Sequence, residues 1–446
     1  MTTKILKNTN FCNNCGRVGH LFHQCKNPIT SIGIICFRKN NDKLEYLLKM
    51  NTLLSIETRN NVLLSMAELL EANRAELISI NQKDLEAYNG DDISMFDRLK
   101  VTNAKVDEMI AAAKHLASQA DPVGVERFSF KHDNGMQVYN KTASFGTVLI
   151  IYESRPDVTV EAAGIAFKSG NKILLKGGKE SLQSNLKIVD LWHIALQKHN
   201  ATTDWVTYLQ FNRTETQAFL EKPSQRIDLI VPRGGERLIA FVKQHAICPV
   251  IISGRGNNFV YVHEEADTKT AIDIIINGKS KISACNAVDK VLVDENLPNK
   301  KEFVTKLIKT LKEYNIQVLG DDNTSKSHQL EKIHSEDVWS QEFLDYKIVV
   351  GTISSNSAAI QKINKFSGGH SSSIITKNNE VAKIFMENVD TAAVYHNAST
   401  RFTDGGQLGL GGELAISTDK LHQRGPIGLQ HLVTNKWYVH GTGQIR

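Results

Sequence analysis

The stretch "TVLIIYESRPDVTVEAAGIAFKSGNKILLKGGKES", residues 147–181, decides the fold. "TVLIIYE" and "KILLK" are short apolar runs without alternation, which predicts strands buried on both faces. Between them "TVEAAGIAFKSG" has helical spacing and closes at Gly170, where a glycine suits a helix C-terminus. A strand, a helix and a second strand of this kind make a parallel pair with a crossover.

The same alternation runs on both sides of this unit. "ESLQSNLKIVDLWHIALQKH", "ETQAFLEK" and "ERLIAFVKQHA" read as helices, and "WVTYLQ", "IDLIVP" and a last "PVIISG" as strands. After Asn286 a second series follows: "VLVDE", "KEFVTKLIKTLKEY", "IQVLG", "YKIVVGTIS", "NSAAIQKINKF" and "SSSIIT". The reading is α/β, with two parallel-sheet domains. Two helical segments from about Asn51 precede the first sheet, and "GVERFSFKHDNGMQVYNKTASF" between them and the sheet is a hairpin turning at Asn134-Gly135.

In such sheets ligands gather beyond the C-terminal strand ends. Two loops there carry paired glycines and basic residues: Lys176-Gly177-Gly178-Lys179 and Arg233-Gly234-Gly235. Glycines let a backbone approach a ligand closely, and the helix that follows favours an anion. The first loop alone reads better as a tight turn with solvated lysines; the two together suggest a phosphate-rich ligand such as a dinucleotide. "NASTRFTDGGQLGLGGELAIST" (397–418) is a third donor-rich loop, in which Ser399, Thr400 and Arg401 suit an anionic substrate. Cys285, between the two series, is by spacing alone either core filler or a nucleophile, with Lys279 and Lys281 near it in sequence.

The totals narrow the class. The 446 residues are 41% hydrophobic and 23% charged, and 53 basic against 48 acidic side chains leave +5, too mild for a polyanion-binding body. There is no run long enough to span a bilayer, and "MTTKILKNTN" lacks the layout of a signal peptide. Six cysteines, at 12, 15, 25, 36, 248 and 285, are poor material for a disulfide framework and suggest a reducing, cytoplasmic setting.

The N-terminus raises a rival function. Cys12, Cys15, His20 and Cys25 have zinc-knuckle spacing, three thiolates and an imidazole suited to tetrahedral Zn²⁺. Phe11 and Phe22 could stack on the bases of single-stranded RNA or DNA, although a purely structural clip would use the same ligands. "IGIICFRKNNDKLEYLLKM" then predicts a hairpin turning over Lys39–Asp42.

From about Asn51 to Arg446 the sequence resembles the γ-glutamyl phosphate reductase family of the aldehyde dehydrogenase superfamily. The resemblance rests on "IIYESRPDVTVEAA", "SGNKILLKGGKES", "IDLIVPRGG", "SACNAVDKVLV", "NASTRFTDGG", "GLGGE" and "RGPIGL", in family order. It implies an aldehyde-dehydrogenase-like fold of two Rossmann-like domains plus an oligomerisation hairpin, with a homodimer or larger assembly. It implies a cofactor-binding domain over 51–258 with the hairpin at 126–144, a catalytic domain over 259–405, and a return over 406–446 to the cofactor domain and an oligomerisation strand. Before these lie the knuckle, 1–28, and a hairpin resembling a Nudix fragment, 29–50, without the later glutamate-rich Nudix box.

For function, the resemblance implies NADPH-dependent reduction of L-glutamyl 5-phosphate in proline biosynthesis, with Cys285 as nucleophile through a thioester. The superfamily's oxyanion asparagine is missing near "YESRPD", leaving Ser154 or Asp157 as the polar candidates there, with Asn286 beside the nucleophile a further oxyanion or substrate candidate. Lys176 matches the lysine that meets the adenosine ribose, and Lys179 stands where a cation would pair with a 2′-phosphate. Glu342 in "SQEFLDY" matches the glutamate on the nicotinamide ribose, and "GRGNNFVYV" stands where many members carry a Cys-His pair. Two other outcomes stay open: a nucleic-acid-binding knuckle with a passenger reductase body, and a folded but inactive relic.

Overall fold

The computed structural model describes residues 53–446, apart from positions 92 and 283, and two strands before them. Those strands, Cys36–Asn40 and Lys43–Leu47, pair antiparallel with Asn40 opposite Lys43, so the expected hairpin forms. It belongs to a separate unit, Met1–Leu53; the main body is Leu54–Arg446. The expected zinc knuckle lies outside the described residues.

The body opens with three main helices, Ile56–Ala72, Arg74–Glu86 and Asn103–Ser118. Ser55 caps the first by accepting from the Thr58 amide at 3.0 Å, and Thr102 caps the third from Lys105 at 3.2 Å. Each such cap stabilises its helix by about 1 kcal/mol. Their apolar faces close over Val158–Lys168 and Leu182–Lys198, where Phe167 and Trp192 are fully buried.

Those two helices cover one face of a four-stranded parallel sheet ordered Val206–Tyr208, Lys172–Lys176, Thr147–Tyr152, Leu229–Arg233. Helices Arg213–Glu221 and Glu236–His245 supply the second core, around Leu149, Leu174 and Val242. Burial on both faces accounts for the uninterrupted apolar strands. Gly170, at φ +75°, closes the first crossover helix as its position suggests. "PVIISG" does not form the expected strand. It makes a single parallel bridge, Val250 to Ile230, and then turns away so that Ser253 meets Ser417.

The second sheet has seven parallel strands: Glu331–Lys332, Gln317–Gly320, Lys347–Ile353, Val288–Asp294, Asn258–Val262, Ser371–Ile375 and Ala393–His396, in that spatial order. Asn258–Val262 and the helix Thr268–Lys279 were missed at the level of sequence, because the asparagines and glycines before "FVYV" resemble a loop. The chain then returns: Leu414, Ala415, Ile427 and Leu432 join the core of the first sheet.

A third sheet, antiparallel, is ordered Val433–His440, Gln137–Ser144, Glu126–Lys131, and Gly135 takes φ +89° in its turn. Phe128, Phe130, Trp437 and Val439 of this sheet are exposed. No helix among the described residues is long and apolar enough to cross a membrane.

Candidate active site

Cys285 lies in a turn just before the strand Val288–Asp294, and the turn is locked from behind. The Asn258 side-chain amide donates to the carbonyls of Cys285 at 2.8 Å, Ala287 at 2.6 Å and Gly256 at 2.9 Å. Thr400 Oγ1 donates to the Asn286 carbonyl at 2.7 Å. Asn286 Nδ2 donates to the carbonyls of Arg401 at 3.1 Å and Thr403 at 3.0 Å, while the Arg401 guanidinium donates to Asn286 Oδ1. Gly256 has no room for a side chain: a Cβ would come 2.1 Å from the Cys285 carbonyl oxygen and 2.6 Å from Glu342 Oε1.

These bonds revise the expected substrate set. Asn286 spends its amide on the turn, and so does the Thr400 hydroxyl. Ser399 Oγ accepts from the Arg401 amide within its own turn. Asp157 cannot donate to an oxyanion. Burial works against its charge, but Arg155 and Lys105, at 3.2 and 3.6 Å, hold the carboxyl below its ordinary range. Ser154 turns towards Glu180, 3.4 Å away. Three of the expected donors, Asn286, Thr400 and Arg401, therefore make bonds that brace the Cys285 turn, and Ser399 bonds within the adjoining turn.

Burial, and then the charge of Glu413, push the Cys285 thiol up to about 12; Arg233 opposes them and Glu342 adds to them. Glu413 is itself pushed up to about 7, chiefly by burial, although it accepts from the Gly405 amide at 2.8 Å. Glu342 rises to about 7 through burial and the nearby Asp289, against the Gly256 N–H that it accepts. Arg155, kept charged chiefly by Asp157, also feels Cys285. The thiol thus feels the charges of two arginines and of two carboxyl groups that burial pushes up to about 7. Arg155 and Glu413 were not singled out from sequence, although both lie inside motifs quoted above, "YESRPDVTVEAA" and "GLGGE".

The two glycine loops part company. At Gly177 a Cβ would meet buried Asn185 Nδ2 at 2.4 Å, so no side chain fits there, whereas at Gly178 it would meet only the movable Glu180 carboxylate, at 2.7 Å, and the Ser154 backbone at 3.3 Å. Lys176 Nζ donates to the Gly177 carbonyl at 2.7 Å, and Lys179 is exposed at the edge. The Arg233-Gly234-Gly235 loop is instead filled by Glu153, which accepts from the Gly235 amide at 3.1 Å. The charge of Arg233 acts on Cys285, Glu413 and Glu161. This loop's charge therefore bears on the thiol as well as on the sheet edge expected to take the cofactor. Lys279 and Lys281 do not activate the thiol either: Lys279 is buried against Asp289 at 2.6 Å and Lys281 is exposed.

The pattern of the aldehyde dehydrogenase family matches residues 49–341. γ-Glutamyl phosphate reductase of Clostridium perfringens is 40% identical over 395 residues, covering 88% of this chain and 95% of its own. That of Nautilia profundicola is 38% identical, covering 89% and 97%. The chain belongs to the γ-glutamyl phosphate reductase branch of the aldehyde dehydrogenase family. The solved structure of the Thermotoga maritima γ-glutamyl phosphate reductase superposes with a TM-score of 0.84 at 38% identity, over 89% of this chain and 96% of that one. For a member of this family, the resemblance drawn from the motifs holds at the level of fold and enzyme class. Among the described residues, no group of three or more His, Cys, Asp or Glu could hold a metal ion.

Proposed function

We propose that the chain reduces L-glutamyl 5-phosphate to L-glutamate 5-semialdehyde with NADPH, releasing phosphate, as a step of proline biosynthesis. The observation that carries this reading is the Cys285 turn, braced by the Asn258 amide and the Thr400 hydroxyl, with the charges of Arg155 and Arg233 acting on its thiol. The Cys285 sulfur attacks the acyl carbon; the C–S bond forms, the acyl C–O bond breaks and phosphate leaves. Hydride comes from the nicotinamide cofactor when bound. The C–S bond of the reduced adduct then breaks, and the sulfur regains a proton as the aldehyde departs.

The chain's own residues have three tasks here. Arg155 and Arg233 attract a substrate that carries a phosphate and a carboxylate. The Cys285 backbone N–H donates to the oxyanion. Glu413 takes the thiol proton. Once protonated, it no longer raises the thiol's pKa, so the transfer removes part of its own barrier. The glycine cradle at Gly177 and Gly178, with Lys176 and Lys179 beside it, fits the adenosine end of the cofactor, and Glu342 fits the nicotinamide ribose.

Reverse turnover tests the reading: NADP⁺ with glutamate 5-semialdehyde, with and without phosphate, for wild type and Cys285→Ala. Phosphate-dependent NADPH formation that vanishes in the variant is expected. A folded, NADPH-binding wild type that stays silent would sink the proposal and leave an inactive relic.

The exposed row Phe128, Phe130, Trp437 and Val439 supports a homodimer or larger assembly. At the N-terminus, the spacing of Cys12, Cys15, His20 and Cys25 supports a Zn²⁺ knuckle that binds single-stranded nucleic acid. Zinc content, and RNA binding with and without a chelator, test it. RNA binding by a chain without turnover would make the knuckle the working part.

A further inference from the structure

Glu342 lies in an irregular arm between the short helix Glu336–Ser340 and the strand Lys347–Ile353. Nothing in such a segment fixes a side chain by itself. Yet three consecutive residues of the arm are each held from outside. The Gln341 carbonyl accepts from Lys290 Nζ at 2.7 Å. The Glu342 carboxylate accepts from the Gly256 N–H. The Phe343 N–H donates to Asp289 Oδ2 at 2.8 Å, and the Phe343 ring lies 3.9 Å beneath Lys290 Nζ. The other oxygen of Asp289 accepts from Lys279 Nζ at 2.6 Å, and this pair is 0% and 3% exposed.

A buried ion pair is a weak source of stability, because well-packed apolar residues of the same volume commonly serve as well. What this pair does have is location. Asp289 stands four residues after Cys285 on the same segment, and one carboxylate ties that segment both to the helix Thr268–Lys279 and to the Glu342 arm. Gly256 closes the circuit, wedged between the Cys285 carbonyl and the Glu342 carboxylate.

We infer that Lys279, Asp289 and Lys290 are positioning residues that set Glu342 at a fixed distance from Cys285, and so align the cofactor's ribose with the nucleophile. The inference rests on the reading of Glu342 given above.

The test uses the full chain, measuring direct NADP⁺ binding by calorimetry and, in reverse turnover, KM for NADP⁺, KM for the semialdehyde and kcat, with circular dichroism for folding. Lys279→Met/Asp289→Leu fills the buried site with apolar side chains. It raises KM for NADP⁺ about ten-fold, because small misplacements of a positioning group cost that much or more. KM for the semialdehyde holds steady. Lys279→Gln/Asp289→Asn keeps an acceptor for the Phe343 N–H without the charges, and restores the NADP⁺ value. Lys290→Met, which releases the Gln341 carbonyl, repeats the rise and decides the matter alone should the apolar pair not fold. Normal NADP⁺ binding in a folded apolar variant overturns the inference. So does a parallel rise in both KM values that the Gln/Asn pair leaves uncorrected, since that is the mark of a general packing role. Glu342→Ala is measured alongside. If it raises KM for NADP⁺ while the other variants do not, this inference alone fails; if it too leaves KM unchanged, the reading of Glu342 fails.

Discussion

The two parallel sheets meet the site with opposite ends. The four-stranded sheet contributes the loops that follow its strands: Glu153–Asp157 after Thr147–Tyr152, Lys176–Lys179 after Lys172–Lys176, and Arg233–Gly235 ending Leu229–Arg233. The seven-stranded sheet contributes residues that precede its strands: Gly256 before Asn258–Val262, Cys285 before Val288–Asp294, Glu342 before Lys347–Ile353. On the proposed function, the usual rule for parallel sheets, ligands beyond the C-terminal edge, would hold for the first, while Cys285 and Glu342 lie at the opposite edge of the second. At the second sheet's C-terminal edge lies an open hollow lined by Glu295, Lys300, Lys326 and His328. The difference follows from the division of labour. A cofactor phosphate is served by backbone N–H groups and helix N-termini, which the C-terminal edge supplies. A nucleophile, the role proposed for Cys285, needs a turn braced by side chains, and Asn258, Asn286 and Thr400 brace this one.

The largest effect that would break this comparison is at Cys285. Cys285→Ala is expected to lower kcat by about 10⁴-fold or more, the scale of losing a covalent nucleophile. Reverse turnover measures it, and retained phosphate-dependent NADPH formation would place the chemistry elsewhere.

Second in size is Glu413→Gln. Removing the carboxylate takes away a charge that raises the thiol's pKa, so Cys285 ionises at lower pH and iodoacetamide alkylates it faster at fixed pH. Turnover nevertheless falls about 100-fold, because the proton acceptor is lost. In the wild type, the rate climbs as pH rises through about 7, where Glu413 becomes the carboxylate. Glu342 titrates in the same range, so the pH profiles of Glu413→Gln and Glu342→Gln together show which group owns that limb. Slower alkylation in Glu413→Gln would show that the carboxylate does not bear on the thiol as described.

Much of the first sheet was legible because a buried parallel strand leaves a signature that survives without its partners: "TVLIIYE" and "KILLK" have no polar face. The seven-stranded sheet was legible only after Cys285. Asn258–Val262, one of its central strands, begins with buried Asn258 directly after buried Asn257, and the pair looks like loop chemistry until its carbonyl partners are known. The site divided along the same line. Cys285 and Glu342 were reached through motifs. The sequence also offered Ser399, Thr400 and Arg401 as ligands, since a hydroxyl that binds substrate and one that binds a backbone carbonyl 114 residues away look identical in one dimension. Arg155 and Glu413 carry no distinguishing spacing; only their convergence on one thiol separates them from solvated charges.

A third change sharpens what bracing is worth. Asn258→Ala removes the single amide that serves three carbonyls, among them those of Cys285 and Ala287. Leaving buried carbonyls without a donor costs about 1–3 kcal/mol of stability. Loosening the nucleophile turn lowers kcat about ten-fold or more with KM for NADP⁺ unchanged. Urea unfolding and steady-state kinetics measure the two parts. If stability falls and kcat does not, the amide holds the strand but not the nucleophile.

The smallest expected effect lies on the other side of the comparison, at Lys179. This side chain is exposed, so its charge is screened and a pair with a 2′-phosphate is worth no more than about 1 kcal/mol. Lys179→Ala should therefore raise KM for NADP⁺ only about five-fold, leave KM for NAD⁺ and kcat unchanged, and lose its effect at high ionic strength. Lys179→Glu should go further, adding repulsion against the phosphate, so that the NADP⁺ to NAD⁺ preference narrows more than in the alanine variant. A change of kcat in either variant would mean that the loop after Lys172–Lys176 is coupled to the Cys285 turn. The first sheet would then share the rigid bracing that sets the second apart, instead of offering a shallow, salt-sensitive edge on which a cofactor phosphate rests.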